Sequence, residues 1–141
     1  MSGKGWIAVD LDGTLAHYEG WQGPDHVGAP IPAMVARVKA WLAEGRDVRI
    51  FTARVAVEDP VELERVLIPI RAFCACHIGQ ELPVTNVKDF GMAELWDDRA
   101  KQVLPNTGQA VDELFHDASL RVRRLGAQVT ELEGRIANAL L

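Results

Sequence analysis

The stretch Ile7-Ala8-Val9-Asp10-Leu11-Asp12-Gly13-Thr14 is the most informative part of this sequence. It belongs to a short apolar run, Trp6 to Leu11, of the kind that forms a buried strand. Asp10 and Asp12 place two carboxylates where that strand ends, and Gly13 allows the chain to turn sharply afterwards. The stretch therefore predicts a buried strand that delivers two acidic side chains to one edge of a sheet.

Strand and helix patterns alternate after this stretch. A loop rich in glycine and proline (15–30) comes first, followed by apolar residues at helical spacing and further short apolar runs. The predicted elements are a helix from Ile31 to Glu44 with Gly45 as its C-cap, a strand from Asp47 to Thr52, a helix opened by Asp59 and Pro60 that reaches His77, and strands at Pro83–Val87, Ala93–Trp96 and Gln102–Leu104. Pro69 lies inside the second helix and is expected to kink or split it. This alternation predicts an α/β fold, a Rossmann-like parallel sheet with helices on both faces.

Polar side chains collect at the predicted carboxyl ends of the strands. Asp10 and Asp12 follow the first strand, Thr52 ends the second, and Asp97 and Asp98 follow the fourth. Because ligands of parallel α/β sheets bind beyond the carboxyl ends of the strands, we expect these side chains to meet at one site.

The last third of the chain carries a heptad pattern. Its apolar residues are spaced alternately four and three apart, with branched residues at position a and leucine at position d. They are Val111, Phe115, Ala118, Val122, Leu125, Val129, Leu132, Ile136 and Ala139. We therefore expect a core over 1–108 and a C-terminal helix over 109–141 that forms a parallel coiled coil between copies. The alternative is a stripe that folds back onto the core, since Gly126 and Gly134 weaken a free coil.

Composition narrows the classes of function. The net charge of −5 argues weakly against binding of nucleic acids or membranes by bulk electrostatics. No apolar stretch is long enough to span a membrane, and Cys74 and Cys76 are poorly spaced for a structural disulfide. The expectation is a cytoplasmic protein.

Two carboxylates two residues apart suit phosphoryl transfer. One can attack phosphorus to form an aspartyl-phosphate, and the other can protonate the leaving oxygen and later deprotonate water. Because carboxylate and phosphate are both anionic, a cation must lie between them, and Mg²⁺ prefers oxygen ligands. Asp10 and Asp12 are thus candidates for the centre of a magnesium-dependent site.

Four segments resemble, in order, the motifs of the haloacid dehalogenase (HAD) superfamily. The run 7–14 resembles motif I, Thr52 in Phe51-Thr52-Ala53-Arg54 resembles motif II, Lys88 in Asn86-Val87-Lys88-Asp89 resembles motif III, and Asp97-Asp98-Arg99 resembles the paired-aspartate form of motif IV. The resemblance covers about residues 5–108 and leaves out the heptad helix. It extends to small hydrolase-like proteins of phages and bacteria.

The resemblance implies a role for each motif residue. Asp10 would be the nucleophile and a magnesium ligand, and Asp12 the general acid and base with its backbone carbonyl on the metal. Asp98 would be the third protein ligand and Asp97 its support, although which of the two binds directly stays open. Thr52 would hydrogen-bond a phosphoryl oxygen, and Lys88 would offset negative charge. The residues expected near substrate are Gly13, Thr14, Thr52, Ala53 and Arg54, with a surface salt bridge as an equal alternative for Arg54.

Neither 15–30 nor 55–87 is long enough for the cap domain that many family members carry, so the resemblance implies a capless member with an open cleft. The expected activity is hydrolysis of a phosphate monoester, with a nucleotide, a sugar phosphate or a nucleic-acid end as substrate, the last not favoured by the charge. The competing hypothesis is an assembly or scaffold protein on an HAD-like core, with the coil as its working part. We expect no membrane partner and expect self-association through 111–139.

Overall fold

The computed structural model describes residues 4–141 and divides into two compact units. The first unit ends at Ala100 and the second spans Lys101–Leu141, so the division falls before the sequence-based boundary at 108. Along the described residues, no helix combines the length and apolar character needed to cross a membrane.

A four-stranded, all-parallel sheet organises the first unit. Its strands are β1 (Trp6–Val9), β2 (Asp47–Phe51), β3 (Val84–Thr85) and β4 (Met92–Trp96), in the spatial order β3-β2-β1-β4. Helix α1 (Pro32–Ala43) connects β1 to β2, and helix α2 (Pro60–His77) connects β2 to β3. The predicted α/β fold class is confirmed. Because β1 and β4 are parallel neighbours, residues that follow them meet at one edge of the sheet.

The core of this unit explains why the sheet forms. All four residues of β1 are buried, as the apolar run predicts. Ile7 and Val9 share one cluster with Ile50 of β2, Val38 of α1 and Ile70 of α2, all of which are fully buried. Burying each such side chain contributes about 1.5–3 kcal/mol relative to leaving it exposed. The central strand is therefore the most firmly anchored element, and Asp10 follows it directly.

The end of α1 and the start of α2 match their sequence signals, whereas the interior of α2 differs from the expectation. Asp59 accepts a hydrogen bond from the Val61 amide, and Gly45, with φ of 77°, follows the last turn of α1. The expected split at Pro69 is wrong, because α2 runs unbroken from Pro60 to His77. A proline removes one helical hydrogen bond. The buried side chains on both sides of it, including Val66 and Phe73, hold the two halves in the same core.

The second unit consists of one long helix and the segment before it. Helix α3 spans Val111–Ala139, and none of its residues, all of which are described, is buried. The expected strand at Gln102–Leu104 is wrong. These residues instead pair locally with the start of α3, since the Leu104 amide donates to the Gln109 carbonyl and the Val111 amide donates to the Gln102 carbonyl.

Candidate active site at the carboxyl ends of the strands

Three carboxylates converge where β1 and β4 end. One oxygen each from Asp10, Asp97 and Asp98 lies within 4.8 Å of the others. Asp10 is placed by the buried strand before it and by its amide, which donates to the Trp96 carbonyl at 2.9 Å. This bond joins the two strand ends. The sequence predicted the convergence, and the structure brings these three residues together.

The turn after β1 holds the cluster in place through Thr14. The Thr14 hydroxyl accepts a hydrogen bond from the Asp98 amide at 3.0 Å and lies 3.3 Å from carboxylate oxygens of both Asp10 and Asp98. Gly13 has a φ of 88°, and a Cβ atom there would lie 2.6 Å from Asp98 Oδ2. Gly13 and Thr14 therefore shape the acidic cluster, and their contact with substrate stays a prediction.

The electrostatics of the cluster centre on Asp10. Burial, followed by the negative charge of Asp97 and the contact with Asp98, together raise the pKa of the Asp10 carboxyl from its ordinary 3.8 to about 7. Ionising Asp10 is therefore unfavourable, first because the carboxyl is buried and second because two other carboxylates lie beside it. A cation bound between them would reverse that preference.

Asp12 lies two residues after Asp10 and forms an ion pair with Arg54, a residue shortly after the end of β2. Arg54 Nε and Nη2 donate to the two oxygens of the Asp12 carboxylate, both at 2.7 Å. Arg54 lies in a 3₁₀ turn, Ala53–Val55, that follows β2 directly. Arg54 thus forms a salt bridge, as one of its two alternatives stated. That salt bridge does not lie on the surface, because the Arg54 side chain is only 5% exposed.

Thr52 is buried, and its hydroxyl accepts a hydrogen bond from the Arg54 amide at 3.2 Å. Among the described residues the Thr52 hydroxyl donates no hydrogen bond, so its proton is available to a ligand. The Thr52 amide donates to the Thr85 carbonyl at 3.0 Å, which ties the end of β2 to β3. Thr52 therefore begins the turn that carries Arg54. It also lines a cavity next to these side chains.

A cavity of about 680 Å³ opens over these groups. It is lined by Asp10, Asp12, Tyr18, Trp21, Phe51, Thr52, Ala53, Arg54, Ala56, Val57, Asn86, Asp97 and Arg99. This volume lies within the range of small-molecule sites. A second cavity of about 350 Å³ is also bounded by Asp12, Tyr18 and Arg54 and extends along the loop before α1.

Of the four predicted catalytic residues, Asp10, Asp12 and Thr52 line the larger cavity and Lys88 does not. It is exposed, and it is not among the described residues that line either cavity. From the same segment, Asn86 lines the larger cavity because it follows β3 immediately. Asn86 and Arg99 are the residues that the sequence reasoning missed, and a position directly after a strand end was the available signal for Asn86.

Two aromatic residues of the loop between β1 and α1 border the cavity. The Arg54 guanidinium carbon lies 5.0 Å from the centre of the Trp21 ring, a distance typical of a cation–π contact. Trp21 is nevertheless 58% exposed, and Tyr18 is 37% exposed. The loop therefore presents aromatic surface to the cavity.

The residues of the acidic cluster fit a hard divalent cation. Asp10, Asp97 and Asp98 supply only oxygen donors, and Mg²⁺ takes oxygen ligands while retaining several waters. The raised pKa of Asp10 follows from the same geometry, since burial and the two neighbouring carboxylates all disfavour its negative charge. The Thr14 hydroxyl lies 3.3 Å from an oxygen of Asp10 and of Asp98 and can donate its one proton to either of them.

Comparisons with known proteins add one structural likeness. No family model matches the chain, and no curated protein matches it. A solved structure of a conserved protein from Bacteroides thetaiotaomicron is similar over 72% of this chain and 82% of that chain, at 20% identity and a TM-score of 0.48. The functional proposal therefore depends on the geometry of the site.

Proposed function

We propose that this protein is a magnesium-dependent phosphohydrolase of the HAD superfamily that cleaves a phosphate monoester through an aspartyl-phosphate. The observation that carries the proposal is the convergence of Asp10, Asp97 and Asp98 within 4.8 Å at the end of β1 and β4. Asp12 follows on the same turn, and both Asp10 and Asp12 line the 680 Å³ cavity. A nucleophile, an acid/base and a cation site are thereby adjacent to space for a substrate.

The proposed reaction has two steps. An oxygen of Asp10 forms a bond to phosphorus while the ester P–O bond breaks, and the Asp12 carboxyl gives its proton to the leaving oxygen. Water then attacks phosphorus and loses a proton to Asp12, the Asp10–phosphorus bond breaks, and inorganic phosphate leaves. Bound Mg²⁺ would offset the negative charge shared by the phosphoryl group and the carboxylates.

Other residues lining the cavity have supporting roles in this proposal. The free hydroxyl proton of Thr52 is available to a phosphoryl oxygen. Arg99 supplies positive charge at the cavity wall, a role that the sequence assigned to Lys88. Within the described residues, the connections between strands contain no inserted domain, which supports the capless type. A nucleotide, a sugar phosphate and a nucleic-acid end remain the substrate candidates.

Replacement of the nucleophile tests the proposal. We expect Asp10→Asn to abolish hydrolysis of an aryl phosphate in the presence of Mg²⁺. The control is Asp117→Asn on the exposed surface of α3, which makes the same chemical change and should retain full turnover. A single turnover in ¹⁸O-water should place the label in the released inorganic phosphate and leave the Asp10 carboxylate unlabelled, because water attacks phosphorus. Unchanged turnover by Asp10→Asn would contradict the assignment.

A second candidate function is assembly, and the observation that favours it is the exposed stripe on α3. We propose that two copies associate through this stripe, defined as Phe115, Val122, Leu125, Val129, Leu132 and Ile136, all of which are exposed. The stripe is compatible with an enzyme. If the full-length protein neither binds Mg²⁺ nor hydrolyses any member of a broad phosphate panel, assembly becomes the favoured function.

A further inference from the structure

The Arg54 side chain forms a bidentate hydrogen-bonded pair with the carboxylate of Asp12. Its Nε and Nη2 atoms donate to the two oxygens of Asp12, while Nη1 is buried and has no hydrogen-bond partner among the described residues. The side chain of Arg54 is 5% exposed and that of Asp12 is 19% exposed. A buried guanidinium loses its hydration, so Asp12 is the group that compensates for this loss.

Two further contacts fix the guanidinium. The Thr52 hydroxyl accepts from the Arg54 amide, which sets the 3₁₀ turn, and the Trp21 ring covers one face of the guanidinium at 5.0 Å. Arg54 is therefore held at its backbone, on one face and along one edge. Arg54 in turn holds Asp12 in place, because a bidentate pair fixes the plane of the carboxylate as well as its distance from the guanidinium.

The pairing leaves lone pairs of the Asp12 carboxylate unoccupied. A carboxylate has about four lone-pair sites, and the two bonds from Arg54 occupy two of them. A lone pair on each oxygen remains for the proton that Asp12 gives to the leaving oxygen and later takes from water. A buried ion pair contributes little net stability compared with a well-packed apolar pair. Orientation is thus the property that this arrangement supplies.

We infer that Arg54 is a positioning residue that holds Asp12 in the orientation required for proton transfer to the leaving group. The inference rests on the proposed function and adds to it a residue that does not need to touch the substrate. It makes a specific prediction, because protonation of the leaving oxygen matters greatly for an alkyl ester and little for an ester of an acidic phenol.

The experiment compares two substrates in each variant of the full-length protein. The substrates are 4-nitrophenyl phosphate, which has a good leaving group, and an alkyl phosphate, which has a poor one, both with Mg²⁺. The readout is the ratio of the two kcat/KM values, which reports phosphorylation of Asp10 and does not depend on the folded fraction. We expect Arg54→Gln to lower kcat/KM for the alkyl ester by about 10–100-fold and to change that for the aryl ester far less.

Four more variants sharpen the result. Asp12→Asn should show the same substrate dependence, and Asp12→Asn combined with Arg54→Gln should lose nothing further on the alkyl ester. Arg54→Lys keeps the positive charge but loses the two parallel hydrogen bonds to Asp12. Its kcat/KM for the alkyl ester should therefore lie between those of the wild type and Arg54→Gln. Arg99→Gln removes a cation from the same cavity without touching Asp12, so any loss should be equal for the two esters.

Two results would overturn the inference while leaving the proposed function intact. One is an equal loss on both esters in Arg54→Gln, and the other is a further loss on the alkyl ester when Arg54→Gln is added to Asp12→Asn. Failure of the proposed function has a different signature, since the wild-type chain would then hydrolyse neither ester, and the inference would be overturned with it.

Discussion

Gly13 is a residue for which both the backbone and the available space restrict the side chain. Its φ of 88° is disfavoured for other residues, and an added Cβ would lie 2.6 Å from Asp98 Oδ2 and 2.9 Å from Asp98 Cγ. The Asp98 carboxylate would have to move away, and it is one of the three groups of the acidic cluster. The glycine is thus required by the cluster as well as by the turn.

We predict that Gly13→Ala lowers the free energy of unfolding by about 1–3 kcal/mol, since strain at such a backbone position is of this order. We also expect it to reduce the increase in Tm that Mg²⁺ gives the wild-type protein, because the displaced Asp98 binds the cation less well. Urea unfolding measures the first effect, and thermal unfolding with and without Mg²⁺ measures the second.

The matched control is Gly20→Ala. Gly20 also has a positive φ, 116°, but an added Cβ would meet nothing within 4 Å. This variant should share the backbone strain and keep the full stabilisation by Mg²⁺. Equal stabilisation of the two variants by Mg²⁺ would show that Gly13 has no link to the cation site.

Residue-level chemistry was predictable where it depended on local order in the sequence. Asp10 and Asp12 follow an apolar run, and their place at a strand end could be inferred from that run alone. The partners of Thr14 and Arg54 could not, because Thr14 meets Asp98 and Arg54 meets Asp12 across the sheet. Such pairs depend on strand order, and the sequence does not state which strand lies beside which.

At the scale of elements, the strands that bury apolar side chains were easier to predict than the short ones. β1 and β2 each carry residues of the core cluster, whereas the backbone of Gln102–Leu104 bonds, within the described part of the chain, to residues shortly after it. The turn between these partners contains Asn106 and Gly108, both with positive φ. A short apolar run does not distinguish a sheet strand from one arm of such a local turn, so the expected fifth strand was wrong.

Gly134 is a weak point in the last third of the exposed helix α3. Glycine in a helix interior is less favourable than alanine by about 0.8–1.0 kcal/mol, and a Cβ at Gly134 would meet nothing within 4 Å. We predict that Gly134→Ala raises the helical content of α3 and its unfolding temperature, as measured by circular dichroism. Gly45→Ala is the control, since that site is equally open but has a φ of 77°, and alanine there should destabilise the protein.

For the whole molecule, the charges beside the stripe on α3 favour one mode of pairing. In heptad positions, Arg121, Gln128 and Arg135 occupy g, whereas Gly126 and Glu133 occupy e. Parallel helices place g of one chain near e of the next heptad in the other, so no like charges meet. A full antiparallel overlap would place Arg121 of one chain near Arg135 of the other, twice. The arrangement that we expect is therefore a parallel pair.

Substitution within the stripe tests this association in the full-length protein. Leu125 is 60% exposed at position d, and we predict that Leu125→Asp converts a dimer to a monomer in sedimentation equilibrium, because paired helices would bury two carboxylates against each other. Leu120 lies at position f, away from the stripe, and is 39% exposed. Leu120→Asp makes the same chemical change and should leave the dimer intact.

The direction of the two helices is tested by disulfide formation at Ala118, a position-d residue near the start of α3. With the exposed Cys76 replaced by serine, Ala118→Cys should cross-link two copies on oxidation, since parallel helices bring identical d positions together. In an antiparallel pair the two new cysteines lie far apart along the helices. A dimer that resists cross-linking would contradict the parallel arrangement, and a monomeric wild-type chain would contradict association itself.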